Sequence, residues 1–179
     1  VLFPSRVIRD KGIIEFIKAC EILAPKYKSW NFLIAGSYEY ESISSIDSSL
    51  IQRSEKNKNI QFLGHVDDMS NLFKQTRIVC LPSYREGFPK SLMEASAAGC
   101  AIATTNVPGC NEVVDHGVNG LLAEPKSYES LVNSLEHLMK NEDKLLEYSE
   151  KLEKKASKNY CQKKIHTKIL KKIYNKLDF

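Results

Sequence analysis

Two carboxylates, Glu86 and Glu94, are separated by seven residues, among them Gly87, Phe88, Pro89, Lys90 and Ser91. An ionised carboxylate offers two acceptor oxygens and no donor, so it suits a ligand with neighbouring hydroxyl groups. The apolar run Ile78-Val79-Cys80-Leu81-Pro82 just before them reads as a buried parallel strand. A small-residue helix should follow, ending near Gly99, with Pro89 in its first turn, where a missing N–H costs nothing. The loop carrying Glu86 then faces the positive end of a helix. Glu94 is the only charged residue between Lys90 and Glu112 and lies among Leu92, Met93, Ala95, Ala97 and Ala98. If that packing face buries it, it needs a partner or a ligand. Alone, Glu94 reads as a half-exposed helix residue and Glu86 as a solvated loop charge. Together they edge the crevice at the carboxyl end of a strand, where open α/β sheets bind ligands.

A second constellation is the basic turn Arg6-Val7-Ile8-Arg9-Asp10-Lys11-Gly12, placed after the first apolar stretch. Arginine presents a planar fork and lysine a point charge, a combination suited to a diphosphate, although position alone is equally consistent with solvated charge.

The elements that must position these groups follow from periodicity and turn residues. Strands are expected at residues 1–7, 30–35, 60–63, 78–81, 101–105 and 121–123. Helices are expected at 12–24, 46–56, from a cap at Asp67 through Gln75, from Pro108 with Glu112 inside it, and at 127–140, 143–158 and 162–177. Strand and helix alternate to about residue 123, so the fold class is α/β, a Rossmann-like parallel sheet sandwiched by helices. His65 follows a strand, where a lone histidine reads as a local hydrogen-bonding residue, and Glu112 reads as mainly structural.

Composition supports one domain over residues 1–179. Hydrophobic residues make up 42% and charged residues 27%, and no apolar run reaches membrane-spanning length. The opening Val1-Leu2-Phe3, already strand-like and without Met, reads as a piece of a longer protein whose natural start lies upstream. Cysteines 20, 80, 100, 110 and 161 are odd in number and lack C-x-x-C spacing, so free thiols in a reducing cytosol are expected rather than a zinc site or disulfides. From residue 151 to 176 lysines face a single acid, Glu153. There Ile165, Ile169, Ile173 and Leu177 recur at four-residue spacing, which describes a docked helix with solvated lysines. Contact with anionic lipid is the lesser alternative, and nucleic-acid binding ranks below both.

The Glu86…Glu94 block, with Ala98-Gly99-Cys100-Ala101-Ile102-Ala103, Pro108-Gly109-Cys110-Asn111-Glu112 and Gly117-Val118-Asn119-Gly120-Leu121-Leu122 after it and Arg6 and Lys11 before it, resembles the retaining family 4 glycosyltransferases of the GT-B fold. That resemblance implies the C-terminal, donor-binding half of a two-domain enzyme, with residues 160–177 a helix returning to a missing N-terminal acceptor domain. Glu94 would hold the ribose hydroxyls and Arg6 and Lys11 the diphosphate. Val66 would lie beside the base, and Glu86 would grip hydroxyls of the transferred sugar. Backbone groups around Gly87, Phe88, Lys90 and Ser91 would support sugar and phosphate. The expected catalytic set is Glu86, Arg6 and Lys11, with Glu86 holding the donor rather than acting as nucleophile, and with no obligatory metal and no cofactor. The stretch Ser37-Tyr38-Glu39-Tyr40-Glu41 departs from the family's second glycine after this strand. A UDP-sugar is the favoured donor and a glycan or polyprenyl-linked molecule the acceptor, in bacterial capsule or lipopolysaccharide synthesis; the expected location is cytoplasmic, with peripheral contact at the inner face of the cytoplasmic membrane as an alternative. The isolated chain is expected to be inactive. The alternatives are a UDP-N-acetylglucosamine 2-epimerase and a non-catalytic nucleotide-sugar-binding or partner-binding module.

Overall fold

A computed structural model describes residues 1–38 and 48–160. Six parallel strands, β1 (Leu2–Pro4), β2 (Phe32–Ala35), β3 (Ile60–Gly64), β4 (Ile78–Leu81), β5 (Ala101–Thr105) and β6 (Leu121–Ala123), lie in the order β3-β2-β1-β4-β5-β6. The chain winds outward from β1 in one direction and from β4 in the other. The β1/β4 boundary is therefore the switch point at which open α/β sheets form a crevice.

The central strands are buried on both faces, which is why they read as continuous apolar runs. Alternate residues serve opposite layers. Phe3, Ile78, Cys80, Ala101 and Ala103 face a core built with α1 (Ile13–Leu23) and α6 (Tyr128–Lys140). Leu2, Val79, Leu81 and Ile102 face a core built with α3 (Met69–Lys74), α4 (Lys90–Ala97) and α5 (Cys110–Val113). Helix α2 (Ser48–Ser54) precedes the edge strand β3. The long helix α7 (Glu142–Asn159) joins the two layers: Leu145 and Tyr148 pack in the first core and Leu152 in the second.

Strands β4, β5 and β6 occupy the expected residues. The first strand is shorter than expected, because Ser5 and Arg6 leave the ladder before Val7 rejoins it by donating its N–H to the Ser37 carbonyl at 3.0 Å. The cap of α3 is Asp68, whose carboxylate accepts from the Asn71 N–H at 3.0 Å, not Asp67, which is exposed and 3.2 Å from His65. Helix α5 begins at Cys110 with Gly109 as its cap, two residues after Pro108. The expected helix over residues 162–177 lies outside the described residues.

Candidate active site

A cleft of about 200 Å³ opens at the carboxyl ends of β1, β2 and β3, and Arg6, Ser37, Val66, Met69, Ser91 and Glu94 line it. Arg6 arrives from the exit of β1, Val66 from the exit of β3, and Ser91 and Glu94 from the first turns of α4. Two turns converge there because Gly36 allows it: a Cβ on Gly36 would sit 1.9 Å from the Ser5 carbonyl oxygen.

Glu94 departs from the sequence expectation. Its side chain is 46% exposed and lies 3.4 Å from the Lys90 ammonium. It is therefore not a buried carboxylate forced to find a partner; it is an acceptor at the lip of the cleft, held by an exposed i,i+4 pair of little energetic weight. The packing face of α4 is carried instead by Leu92, Ala95 and Ser96. Beyond Glu94 the surface continues into a groove of about 570 Å³ between α3 and α4, with Lys90 and Lys74 at its margin and Met69 and Phe73 shared with the cleft.

Glu86 lies across the switch point from this cleft. Its Oε1 accepts from Lys11 Nζ at 2.6 Å and from the Ser83 hydroxyl at 2.6 Å. The side chains of the Lys11–Glu86 pair are only 21% and 11% exposed. Both donors use one oxygen, so among the described residues Oε2 keeps its capacity to accept. The pair joins residues 75 positions apart, and the backbone makes the approach possible. Gly12, at φ 73, has its Cα against the β4 exit, where a Cβ would sit 1.9 Å from the Pro82 carbonyl oxygen. The Tyr84 N–H donates to the Asp10 carbonyl at 2.9 Å, and the Tyr84 hydroxyl donates to Glu15 at 2.8 Å. Burial, with that hydrogen bond to Glu15, raises the Tyr84 phenol well above its ordinary value, so it stays a donor.

The floor beneath the loop is also polar and fully paired. Thr104 donates to the Leu81 carbonyl at 2.6 Å and Thr105 donates to the Ser83 carbonyl. Cys110, buried beside them, has its thiol raised chiefly by burial, which keeps it protonated. Gly109 supports the loop from behind, since a Cβ there would sit 2.5 Å from the Gly87 carbonyl oxygen.

Of the residues singled out in the sequence, the structure gathers Arg6, Val66, Ser91 and Glu94 in one cleft and Lys11 with Glu86 next to it. It turns the Phe88 ring away onto Tyr160, at 5.7 Å between centroids, and places Lys90 in the neighbouring groove. Gly87 is exposed, with no atom within 4 Å of the position its Cβ would take. The Glu112 carboxylate is exposed and makes no hydrogen bond with another described residue. Sequence reasoning missed Ser83, Tyr84 and Glu15. The first had a signal, a small hydroxyl between an apolar strand and the glutamate loop; the contact from Tyr84 to Glu15 spans 69 positions and had none. Among the described residues no three His, Cys, Asp or Glu side chains form a metal-binding group, and no helix is long and apolar enough to cross a membrane.

The model of the family described as glycosyl transferases group 1 matches residues 1–159. The capsular polysaccharide biosynthesis glycosyltransferase CapM of Staphylococcus aureus is 30% identical over 173 residues, covering 97% of this chain and 45% of its own length. The N,N'-diacetylbacillosaminyl-diphospho-undecaprenol α-1,3-N-acetylgalactosaminyltransferase of Campylobacter jejuni is 32% identical over 143 residues, covering 79% of this chain and 36% of its own. Anabaena HepE, solved in complex with UDP, superposes with a TM-score of 0.87 at 22% identity, over 97% of this chain and 48% of that one. The chain thus spans less than half the length of these curated relatives. Its Rossmann-like layers are those of GT-B glycosyltransferases.

Proposed function

The chain belongs to the glycosyl transferases group 1 family, and from that premise we propose that it is the C-terminal, donor-binding domain of a retaining transferase. The donor would be a UDP-sugar, and a second, N-terminal domain would present a glycan or polyprenyl-linked acceptor. The observation that carries this reading is the division of the crevice. An exposed carboxylate, Glu94, shares one cleft with a guanidinium, Arg6, while a second carboxylate, Glu86, is pinned through a single oxygen beside Lys11.

Each part answers a part of the donor. Glu94 accepts from the ribose hydroxyls at the lip of the cleft, and the backbone around Val66 borders the base. Arg6, Lys11 and the N-terminal turn of α4, at Lys90 and Ser91, face the diphosphate and stabilise the charge that grows on it as the sugar–phosphate bond breaks. This arrangement performs the task without a metal. Glu86, oriented by Lys11 and Ser83, offers Oε2 to a sugar hydroxyl, with the amides following Gly87 alongside. It holds the donor while the acceptor attacks on the face that the phosphate leaves.

The UDP complex of HepE and the undecaprenol-linked substrate in the name of the Campylobacter relative support a UDP-sugar donor and a lipid-linked acceptor. Family membership favours transfer over the epimerase reading. Calorimetric titration with UDP, GDP and ADP, repeated on Glu94→Ala, tests the proposal. Saturable binding of UDP that weakens roughly tenfold or more in the variant is expected, since hydrogen bonds to a charged group are each worth about 1.5–3 kcal/mol. Binding of equal strength by the variant would remove ribose from Glu94 and with it the assignment of the cleft.

A further inference from the structure

The loop from Glu86 to Phe88 is held at three places. Lys11 and Ser83 fix the Glu86 carboxylate, and the bare Cα of Gly109 backs the Glu86 and Gly87 carbonyls. The third place is the ring of Phe88, 44% exposed, which meets the ring of Tyr160 edge-on at 5.7 Å and 77°. Tyr160 stands at the end of α7, its N–H donating to the Ala156 carbonyl at 2.8 Å.

Helix α7 is anchored along its second half. Ser149 donates to the Gly99 carbonyl, Lys155 holds Asp115 at 2.8 Å, the Tyr148 hydroxyl reaches the Gly117 carbonyl at 3.3 Å, and Leu152 and Ala156 are buried. Burial first, then the nearby carboxylates of Asp115 and Glu112, raise the Tyr160 phenol, so the ring meets Phe88 as a neutral group. Gly87, between the pinned carboxylate and the pinned ring, has nothing within 4 Å of the place a Cβ would take, and its carbonyl is backed by Gly109. A glycine brings no side chain to anchor its own backbone, so the loop's position depends on what holds its carbonyls and its two flanks.

We propose that Tyr160 is a positioning residue for sugar recognition: by seating Phe88, it holds Glu86 and the amides after Phe88 in the arrangement that grips the donor sugar. The inference rests on the donor-domain reading above. It assigns to the end of α7, no residue of which lines the nucleotide cleft, a share in sugar binding but none in nucleotide binding.

The test compares wild type, Tyr160→Ala and Tyr160→Phe as 179-residue chains. Each is titrated with UDP, UDP-glucose and UDP-N-acetylglucosamine, and the ratio of UDP affinity to sugar-nucleotide affinity is read. Loss of an edge-on aromatic contact corresponds to roughly three- to tenfold. The sugar-dependent gain should fall by that factor in Tyr160→Ala while UDP affinity holds, and Tyr160→Phe, which keeps the ring edge, should restore it. An unchanged ratio in Tyr160→Ala, an equal fall for all three ligands, or a phenylalanine variant that behaves like alanine would overturn the inference alone. A wild type that binds the sugar nucleotides no more tightly than UDP also overturns it, because the loop then grips nothing. A wild type that binds none of them overturns the donor-domain reading as well. If Tyr160→Ala does not fold, Tyr160→Leu, which keeps apolar bulk but no ring, is read in its place.

Discussion

Gly109→Ala puts one methyl group behind the loop from Glu86 to Phe88 and separates two reasons for the glycine. Gly109 sits at φ 83 and ψ −51, close to the strained positive-φ γ-turn. An L-residue there costs about 1–3 kcal/mol from backbone strain alone. The new Cβ would also lie 2.5 Å from the Gly87 carbonyl oxygen and 2.9 Å from that of Glu86. Reaching an ordinary contact requires the Gly87 carbonyl to retreat by about 0.9 Å. The neighbouring Glu86 must follow, and its 2.6 Å bonds to Lys11 and Ser83 have little slack.

Two effects should therefore appear together. The melting temperature falls by roughly 2–12 °C, at about 2–4 °C per kcal/mol for a domain of this size. The affinity for a UDP-sugar falls roughly tenfold or more, because a displacement near 1 Å at a positioning group is enough to uncouple it. Gly117→Ala is the control: Gly117 is at φ 71 with nothing within 4 Å of a Cβ, so it loses stability by backbone strain and leaves the loop in place. Scanning calorimetry and titration of both variants decide the matter. Equal ligand affinities in Gly109→Ala and Gly117→Ala would refute the claim that Gly109 supports the loop.

Three further outcomes are expected. Gly87→Ala, at a position where a Cβ meets nothing and φ is not positive, should melt within about 2 °C of wild type yet bind a UDP-sugar more weakly, because only an approaching ligand meets the added methyl group; titration beside calorimetry checks both halves. Cysteines 20, 80, 100 and 110 are buried, and burial raises each thiol, that of Cys100 to about 12, so iodoacetamide at pH 8 should label none of the four until denaturant is added, as read by peptide mass spectrometry. The hydrogen bonds from Lys144 and Lys151 hold the exposed Glu147 carboxyl down at about 2 against 4.5 for the free group. Its contribution is complete above pH 4.5 and is lost as the pH falls toward 2, so Glu147→Gln should flatten urea stability measured across that window, by an amount that shrinks with added salt.

Much of the site's frame was legible locally. The runs 78–81 and 101–105 became β4 and β5 because central strands buried on both faces admit only apolar or small residues, while 121–123, set off by the Asn119-Gly120 turn, became the edge strand β6. The start of the helix at Ser127 was legible to within one residue: Ser127 is the cap of α6, its hydroxyl accepting from the Ser130 N–H at 3.1 Å. Turn glycines and strand endings placed Arg6, Val66 and Glu94 near one edge for the same reason: these preferences are settled by the backbone within a few residues.

Exposure and partnership were decided elsewhere. Whether Glu94 is buried depends on what covers α4, and α7 covers the other side of that helix. The bonds from Lys11 to Glu86 and from Tyr84 to Glu15, and the ring of Tyr160 on Phe88, join residues roughly 70 positions apart, brought together by a strand order that places β1 beside β4 and by a helix that changes layers. Chain composition specifies which strands are central, but the pairing of distant side chains follows only once the layers have packed, because each such contact depends on the closing of every segment between its two ends.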